Sequence, residues 1–261
     1  MSAPVDEVSS VRDVQKEHST HGGRVLALQD ISFTVAEGEL VALVGPSGCG
    51  KSTLLKMLAG LLPATRGEMR LRGTRIAGPR RDIGVVFQAP VLFPWRTVLD
   101  NALLPADVQG LGRGASRARA LELLDLVGLR GFEDRYPAEL SGGMQQRVAI
   151  TRSLVHDPAL LLMDEPFGAL DAMTRESMNV ELQRIWLELR KTILFVTHSI
   201  SEAVFLADRV LVMTARPGCI RECVPVELPR PRALDVAATP GFGAVVGRIR
   251  AHFRSAGAID A

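Results

Sequence analysis

Long apolar runs are missing from this chain. The longest, "LLKMLAGLL" (residues 54–62) and "ALLLM" (residues 159–163), fall well short of the roughly 20 residues needed to cross a bilayer. The polar N-terminus also lacks the apolar core of a signal peptide, so the expected location is the cytosol. Cysteine is scarce. Cys49, Cys219 and Cys223 suit a reducing compartment, and Cys219 and Cys223 have no histidine or further cysteine at metal-ligand spacing, which leaves them a structural or incidental role. A surplus of charge is absent too: a net charge of +2 gives no electrostatic ground for binding nucleic acid. Lysine is rare beside arginine, occurring only at Lys16, Lys51, Lys56 and Lys191, which makes a cation at Lys51 conspicuous. What is plentiful is ordinary: 261 residues, 47% hydrophobic, enough for one large domain or two small ones with a real core.

Residues 1 to about 23 are polar and end in "STHGG", read as part loose leader and part edge strand. Short β-like runs follow, "ISFTV" (31–35), "ELVALVG" (39–45), "EMRLR" (68–72) and "IGVVF" (83–87), separated by glycine-containing turns. From about residue 90 to residue 157 the pattern is helical. Ser116 is a candidate N-cap there, Gly128 a candidate stop, and Leu121, Leu124 and Val127 share a face. Two continuously apolar strands, 159–163 and 192–196, then flank a helix carrying Val180, Leu182, Ile185, Trp186 and Leu189, which implies a parallel sheet covered on both faces. The segment after Thr214 is rich in proline and arginine. It closes with Phe242, Val245, Val246, Ile249 and Phe253, one stripe of an amphipathic helix read as packing on its own domain.

"GPSGCGKST" satisfies the pattern G-x-x-x-x-G-K-[ST], between an apolar strand and a helical run. Gly45, Pro46, Ser47, Gly48, Cys49 and Gly50 form a loop whose glycines let successive N–H groups converge on phosphate oxygens at a helix start. Lys51 supplies a point charge to the β- and γ-phosphates, Ser52 a hydroxyl to Mg2+, and Thr53 a contact to the α-phosphate. Such a cradle needs a carboxylate on the metal side. "LLLMDEP" places Asp164 and Glu165 at the carboxyl end of an apolar strand, where open α/β sheets bind ligands. Asp164 suits the Mg2+ shell, Glu165 suits accepting a proton from attacking water, and together they indicate a nucleotide hydrolase.

Between cradle and acids lies "LSGGMQQR" (140–147), which resembles the signature sequence of ABC-type ATPases, with Ser141, Gly142 and Gly143 opening a helix. The chain departs from the common form in having Met144 where the family has glutamine, with Gln145 following. "EPFGALDA" (165–172) resembles the family segment in which Asp171 reaches across a dimer. "FVTHS" matches the histidine, here His198, that contacts the γ-phosphate, and Gln88 matches the glutamine that touches Mg2+ or water. At "VQKEH" the family stacks adenine on an aromatic ring; here His18 stands in that place, with His21 close by.

The resemblance implies a P-loop NTPase fold of the α/β class: a RecA-like parallel-sheet core, an N-terminal antiparallel β subdomain and an inserted α-helical subdomain. It makes residues 1–228 the nucleotide-binding domain, with the insertion at about 90–157, and residues 229–261 a short tail. It implies ATP and Mg2+ as cofactors and a head-to-tail dimer in which each signature completes the opposite P-loop. Further implied partners are two membrane permease subunits and, indirectly, an extracytoplasmic solute-binding protein, with the chain peripheral at the cytoplasmic face of the inner membrane. "DEPFGALDAMTR" is similar to bacterial importers. "FQAPVLFPWRTVLDNALLP" and "MTARPGCI" resemble the group serving nitrate, sulfonate, taurine and bicarbonate. Thiamine-precursor importers share much of the pattern, and a soluble non-transport ABC ATPase is the alternative from another class. The proline-broken "APVLFPW" stays apolar, so some of Val91, Leu92, Phe93 and Trp95 are expected to line a groove receiving a short cytoplasmic helix of the permease, with ordinary packing between subdomains expected for part of the segment.

Overall fold

A computed structural model describes residues 7–20 and 23–255. In chain order its elements are β1 (Glu7–Thr20), β2 (Gly23–Ala36), β3 (Leu40–Val44), α1 (Lys51–Leu58), β4 (Arg66–Leu71), β5 (Thr74–Arg75) and β6 (Ile83–Val86). Three helices follow, α2 (Val98–Gln109), α3 (Arg113–Leu126) and α4 (Gly142–Leu154). Strands and helices then alternate as far as β9, and β10 and α7 close the order: β7 (Leu160–Asp164), α5 (Ala172–Leu189), β8 (Thr192–Thr197), α6 (Ile200–Leu206), β9 (Arg209–Met213), β10 (Ile220–Pro225) and α7 (Pro240–Ser255).

Two sheets organise the described residues. One runs β2-β1-β4-β5 and is antiparallel; the other runs β10-β9-β3-β8-β7-β6 and is parallel except for β10. β3 and β8 are buried along their whole length, and β7 is buried up to Met163, as strands covered on both faces must be. The second half of β2 instead alternates, Ile31, Phe33 and Val35 facing inward between exposed neighbours, because only one face of its sheet meets the core. Among the described residues no helix is long and apolar enough to cross a membrane.

Two expectations need correction. β1 is not an edge strand: it lies between β2 and β4, with Val8, Val11 and Val14 buried. Register shifts between Val11 and Val14 and around Lys16, with Asp13 at φ 49°, interrupt the alternation, so the burial pattern does not read as a strand in sequence. Ser116 does not cap α3. That helix starts a turn earlier, at Arg113 after Gly112, and Ser116 is buried within it. The stop is where it was expected, at Gly128 with φ 68° after Val127. On α5 the buried face is Met178, Leu182, Ile185 and Trp186, while Val180 points outward.

The apolar stripe of α7 packs into the main core through Phe242, Val246, Ile249 and Phe253. The segment leading to it is stitched down by Arg232, which is 3% exposed. Its guanidinium donates to the carbonyls of Val204, Phe205, Ala207, Val226 and Leu228 at 2.8–3.3 Å, while its main chain exchanges two hydrogen bonds with the Gln183 side chain. Beside it Arg230 stacks over Trp186 at 4.3 Å and pairs with Asp208 at 3.0 Å. Removing the Arg232 fork strands several buried carbonyls, so Arg232→Ala is expected to cost about 2–4 kcal/mol, read as a lower urea midpoint at unchanged slope. A loss below about 0.5 kcal/mol would show that this clasp does not anchor the tail.

Candidate active site

Parallel pairing lines up three strand ends. Val44 of β3 is level with Thr197 of β8, and Val196 of β8 with Asp164 of β7, so the next residues of each strand emerge side by side. Those residues are the glycine-rich loop after β3, Glu165 after β7 and His198 after β8. They line one pocket of about 320 Å³ with Ser47, Gly48, Gly50, Lys51, Ser52 and Thr53.

The loop is shaped by its glycines where space or backbone leaves no choice. A Cβ on Gly45 would stand 2.7 Å from the Cys49 sulfur, and Gly50, at φ 106°, lies against the Leu28 side chain. Gly50 also precedes α1 without supplying a side-chain cap, so the first N–H groups of that helix remain available to an anion. Lys51 is 6% exposed and folds back over the loop, donating to the carbonyls of Gly45 at 2.8 Å and Pro46 at 3.1 Å. Burial pushes the Cys49 thiol up, against the opposing charge of Lys51.

Ser52 Oγ donates to Asp164 Oδ1 at 3.0 Å. Burial pushes the Asp164 carboxyl above the usual aspartate range; the Ser52 hydroxyl opposes the shift and the charge of Glu165 adds to it. Glu165 sits at φ 46°, a conformation costing about 1–2 kcal/mol in a non-glycine residue. It is held there by its N–H, which bonds the Val196 carbonyl at 2.9 Å. Its Oε2 lies 3.0 Å from His198 Nδ1. Beneath the histidine, the Thr197 hydroxyl donates to buried Glu202. Gln88 is exposed just past β6 and reaches the same corner from the side: a Cβ on Gly168 would be 3.2 Å from Gln88 Nε2 and 3.6 Å from Glu165 Oε2.

The remaining candidates do not line this pocket. Ser141 caps α4, its Oγ accepting from Met144 N at 3.3 Å. Gly142 and Gly143 pack toward Leu170 and Thr174, and Gln145 is turned inward to the carbonyls of Pro137 and Leu140 at 3.0 and 3.3 Å. Asp171 caps α5, with Thr174 N at 3.0 Å and Thr174 Oγ1 at 2.6 Å, and these bonds hold its carboxyl below the usual range. His18 is half-buried on β1 opposite Val25 and is not brought to the pocket; His21 lies outside the described residues. One pocket residue was not among the candidate site residues: Arg216, in the turn after β9 and within the "MTARPGCI" stretch. An isolated arginine in "MTARPGCI" carries no periodicity or spacing that could have pointed to it.

A second feature lies between β6, at the end of its sheet, and α2. Phe87, Val91, Phe93, Leu104, Pro105 and Val108 line an apolar groove of about 440 Å³. Of the four candidates for it, Val91 and Phe93 line it, Leu92 packs against the main core, and Trp95 stands 71% exposed outside the lining, its ring 5.1 Å from that of Phe93. The prolines leave this segment without a ladder, and buried Asn101 replaces one: its amide binds Phe93 N at 2.8 Å and the carbonyls of Phe93, Arg96 and Thr97 at 2.9–3.1 Å.

The sequence profile of the ABC transporter family matches residues 28–168. The chain belongs to that family. The cassette is 47% identical over 224 residues to the aliphatic sulfonates import ATP-binding protein SsuB of Bacillus licheniformis, covering 86% of this chain and 87% of that protein. It is 47% identical over 209 residues to the taurine import ATP-binding protein TauB of Burkholderia pseudomallei, covering 80% of each. In three dimensions it is similar to a dimeric post-hydrolysis structure of the ATP-binding cassette MJ0796 bound to ADP and phosphate. That likeness has a TM-score of 0.73 at 32% identity and covers 85% of this chain and 100% of that one. The fold is that of an ABC ATPase, and the activity is ATP hydrolysis coupled to transport, with ATP and ADP as the nucleotides.

With Glu165 poised against His198, Glu165→Gln is expected to keep nucleotide affinity within about threefold of wild type while phosphate release falls by at least about 100-fold. Equilibrium nucleotide titration beside a phosphate-release assay reads both, and turnover near the wild-type rate would remove Glu165 from the reaction.

Proposed function

We propose that this cassette is the ATPase of an importer, energising uptake of a small sulfonate-type anion through separate membrane permease subunits at the cytoplasmic face of the inner membrane. The observation that carries the ATPase half is the Glu165–His198 pair at 3.0 Å, facing a glycine loop that ends in Lys51 and Ser52. The import half is supported by the two relatives named for sulfonate and taurine import, at 47% identity over most of the chain.

In this reading the N–H groups of Gly48 to Lys51 receive the phosphates, Lys51 exchanges its loop carbonyls for the β- and γ-phosphate oxygens, and Thr53 meets the α-phosphate. Mg2+ fits the donors present: Ser52 and Asp164 offer hard oxygens 3.0 Å from each other, with Gln88 close to the neighbouring Glu165. Among the described residues no group of three or more acidic, histidine or cysteine side chains forms a metal cage, as suits an ion whose shell is completed by phosphate oxygens and water. When bound, the ion neutralises charge on the β- and γ-phosphates. Glu165 takes the proton of the attacking water, with His198 orienting the carboxylate and reaching the γ-phosphate; catalysis is positioning and charge neutralisation.

Ser141 to Gly143, Gln145 and Asp171 lie away from this chain's own pocket, so their nucleotide role requires a second copy arranged head to tail, each signature helix closing on the opposite P-loop. Closure then has to be felt at the membrane. The groove of Phe87, Val91, Phe93 and Val108 suits a short amphipathic helix of a permease subunit, since an exposed apolar surface of this kind marks an interface.

Reconstituted in vesicles with its permease pair and solute-binding protein, the cassette is expected to hydrolyse ATP several-fold faster when taurine or an alkanesulfonate is supplied. No response to any sulfonate would refute the substrate class. Val108→Asp, at a position 78% exposed, is expected to abolish that stimulation while leaving hydrolysis by the isolated cassette unchanged; full coupling in this variant would remove the groove from the joint.

A further inference from the structure

The turn between β9 and β10 is clamped against the phosphate loop. Thr214 N bonds the Cys219 carbonyl at 3.0 Å, and Thr214 Oγ1 accepts from Cys219 N at 3.0 Å, closing the turn on itself. Gly218 ties it to β2, its N–H donating to the Ala27 carbonyl at 3.0 Å and its carbonyl accepting from Gln29 N at 2.9 Å. The same glycine abuts the phosphate loop so closely that a Cβ there would collide with the Cys49 carbonyl. A rigid turn thus carries Arg216 to the loop.

Arg216 Nε donates to the Gly48 carbonyl at 2.8 Å, and Nη2 lies 3.4 Å from where a Cβ on Gly48 would stand. Its two Nη groups have no hydrogen-bond partner among the described residues, and the side chain lines the pocket that holds Lys51, Ser52, Glu165 and His198. Lys51, by contrast, has its ammonium engaged by two loop carbonyls. We propose that Arg216 is a further nucleotide-binding residue of this cassette, its Nη edge contacting the polyphosphate shared by ATP and ADP while Nε stays on Gly48. The proposal rests on the assignment of this pocket to the nucleotide. A guanidinium fixed at one corner is pre-organised to present its remaining N–H groups to phosphate oxygens, which a lysine on a flexible stem is not.

The test is equilibrium titration of Mg-ATP and Mg-ADP against Arg216→Ala, Arg216→Lys and Lys51→Ala, with thermal melting of each protein alone and with saturating nucleotide. Arg216→Ala is expected to weaken both nucleotides about tenfold, to raise KM for ATP in parallel, and to shrink the nucleotide-induced rise in Tm while leaving the nucleotide-free Tm near wild type. Arg216→Lys, restoring charge without the fork, is expected to recover only part of the affinity. Unchanged affinity in Arg216→Ala overturns the proposal, and so does a lower nucleotide-free Tm with unchanged affinity, the mark of a clip that merely holds the loop. Lys51→Ala is the control on the pocket: wild-type affinity there would sink the assignment of the site itself, whatever Arg216 does.

Discussion

The site depends on parallel pairing of β3, β8 and β7 with their carboxyl ends level. Each strand is short and almost wholly apolar, so it is stable only with both faces covered, and that covering places every polar residue at the strand ends. Gly45, His198 and Glu165 follow three consecutive strands of the sheet for this reason. A slip of one residue in either pairing would turn buried side chains of the slipped strand to the opposite face and displace its end by more than 3 Å, enough to part Glu165 from His198.

Local polar bonds then refine what the sheet brings together. The N–H of Glu165 on the Val196 carbonyl holds a left-handed residue in place, and Ser52 meets Asp164 although 112 positions separate them in the chain. The helix that begins at Ser141 also reaches the groove. Gln146 donates to the Phe87 carbonyl at 3.3 Å, and Arg152 donates to those of Pro90 and Val91 at 2.7 Å each, so α4 carries the backbone on either side of Gln88 and Ala89. The groove, the segment carrying Gln88 and α4 are thus joined by direct hydrogen bonds.

Much of this was legible beforehand because the signals are local. Glycines at fixed offsets, a lysine and hydroxyls after them, and adjacent acids ending an apolar strand are readable wherever they occur, since the phosphate chemistry demands those residue types in that order. The places where reading failed are those where distant chain decides. β1 looked like an edge because its register shifts break the alternation that marks a buried strand, and its second partner, β4, comes some fifty residues later in the chain. Within the proline-broken run the division was open from sequence and the fold made it: Leu92 packs against the core, whereas Val91 and Phe93 line the groove.

The amino-acid sequence by itself determined the phosphate loop, the adjacent acids after an apolar strand, and the two apolar strands flanking a helix between residues 159 and 196, because each is written in residue type and short-range spacing. Only the tertiary structure decided which of the candidate side chains share one pocket, that Ser141, Gln145 and Asp171 stand apart from it, and that Arg216 joins it. The reason is the same in each case: proximity between segments comes from sheet order and from a turn closing on a loop more than 160 residues earlier, and no local pattern encodes that distance.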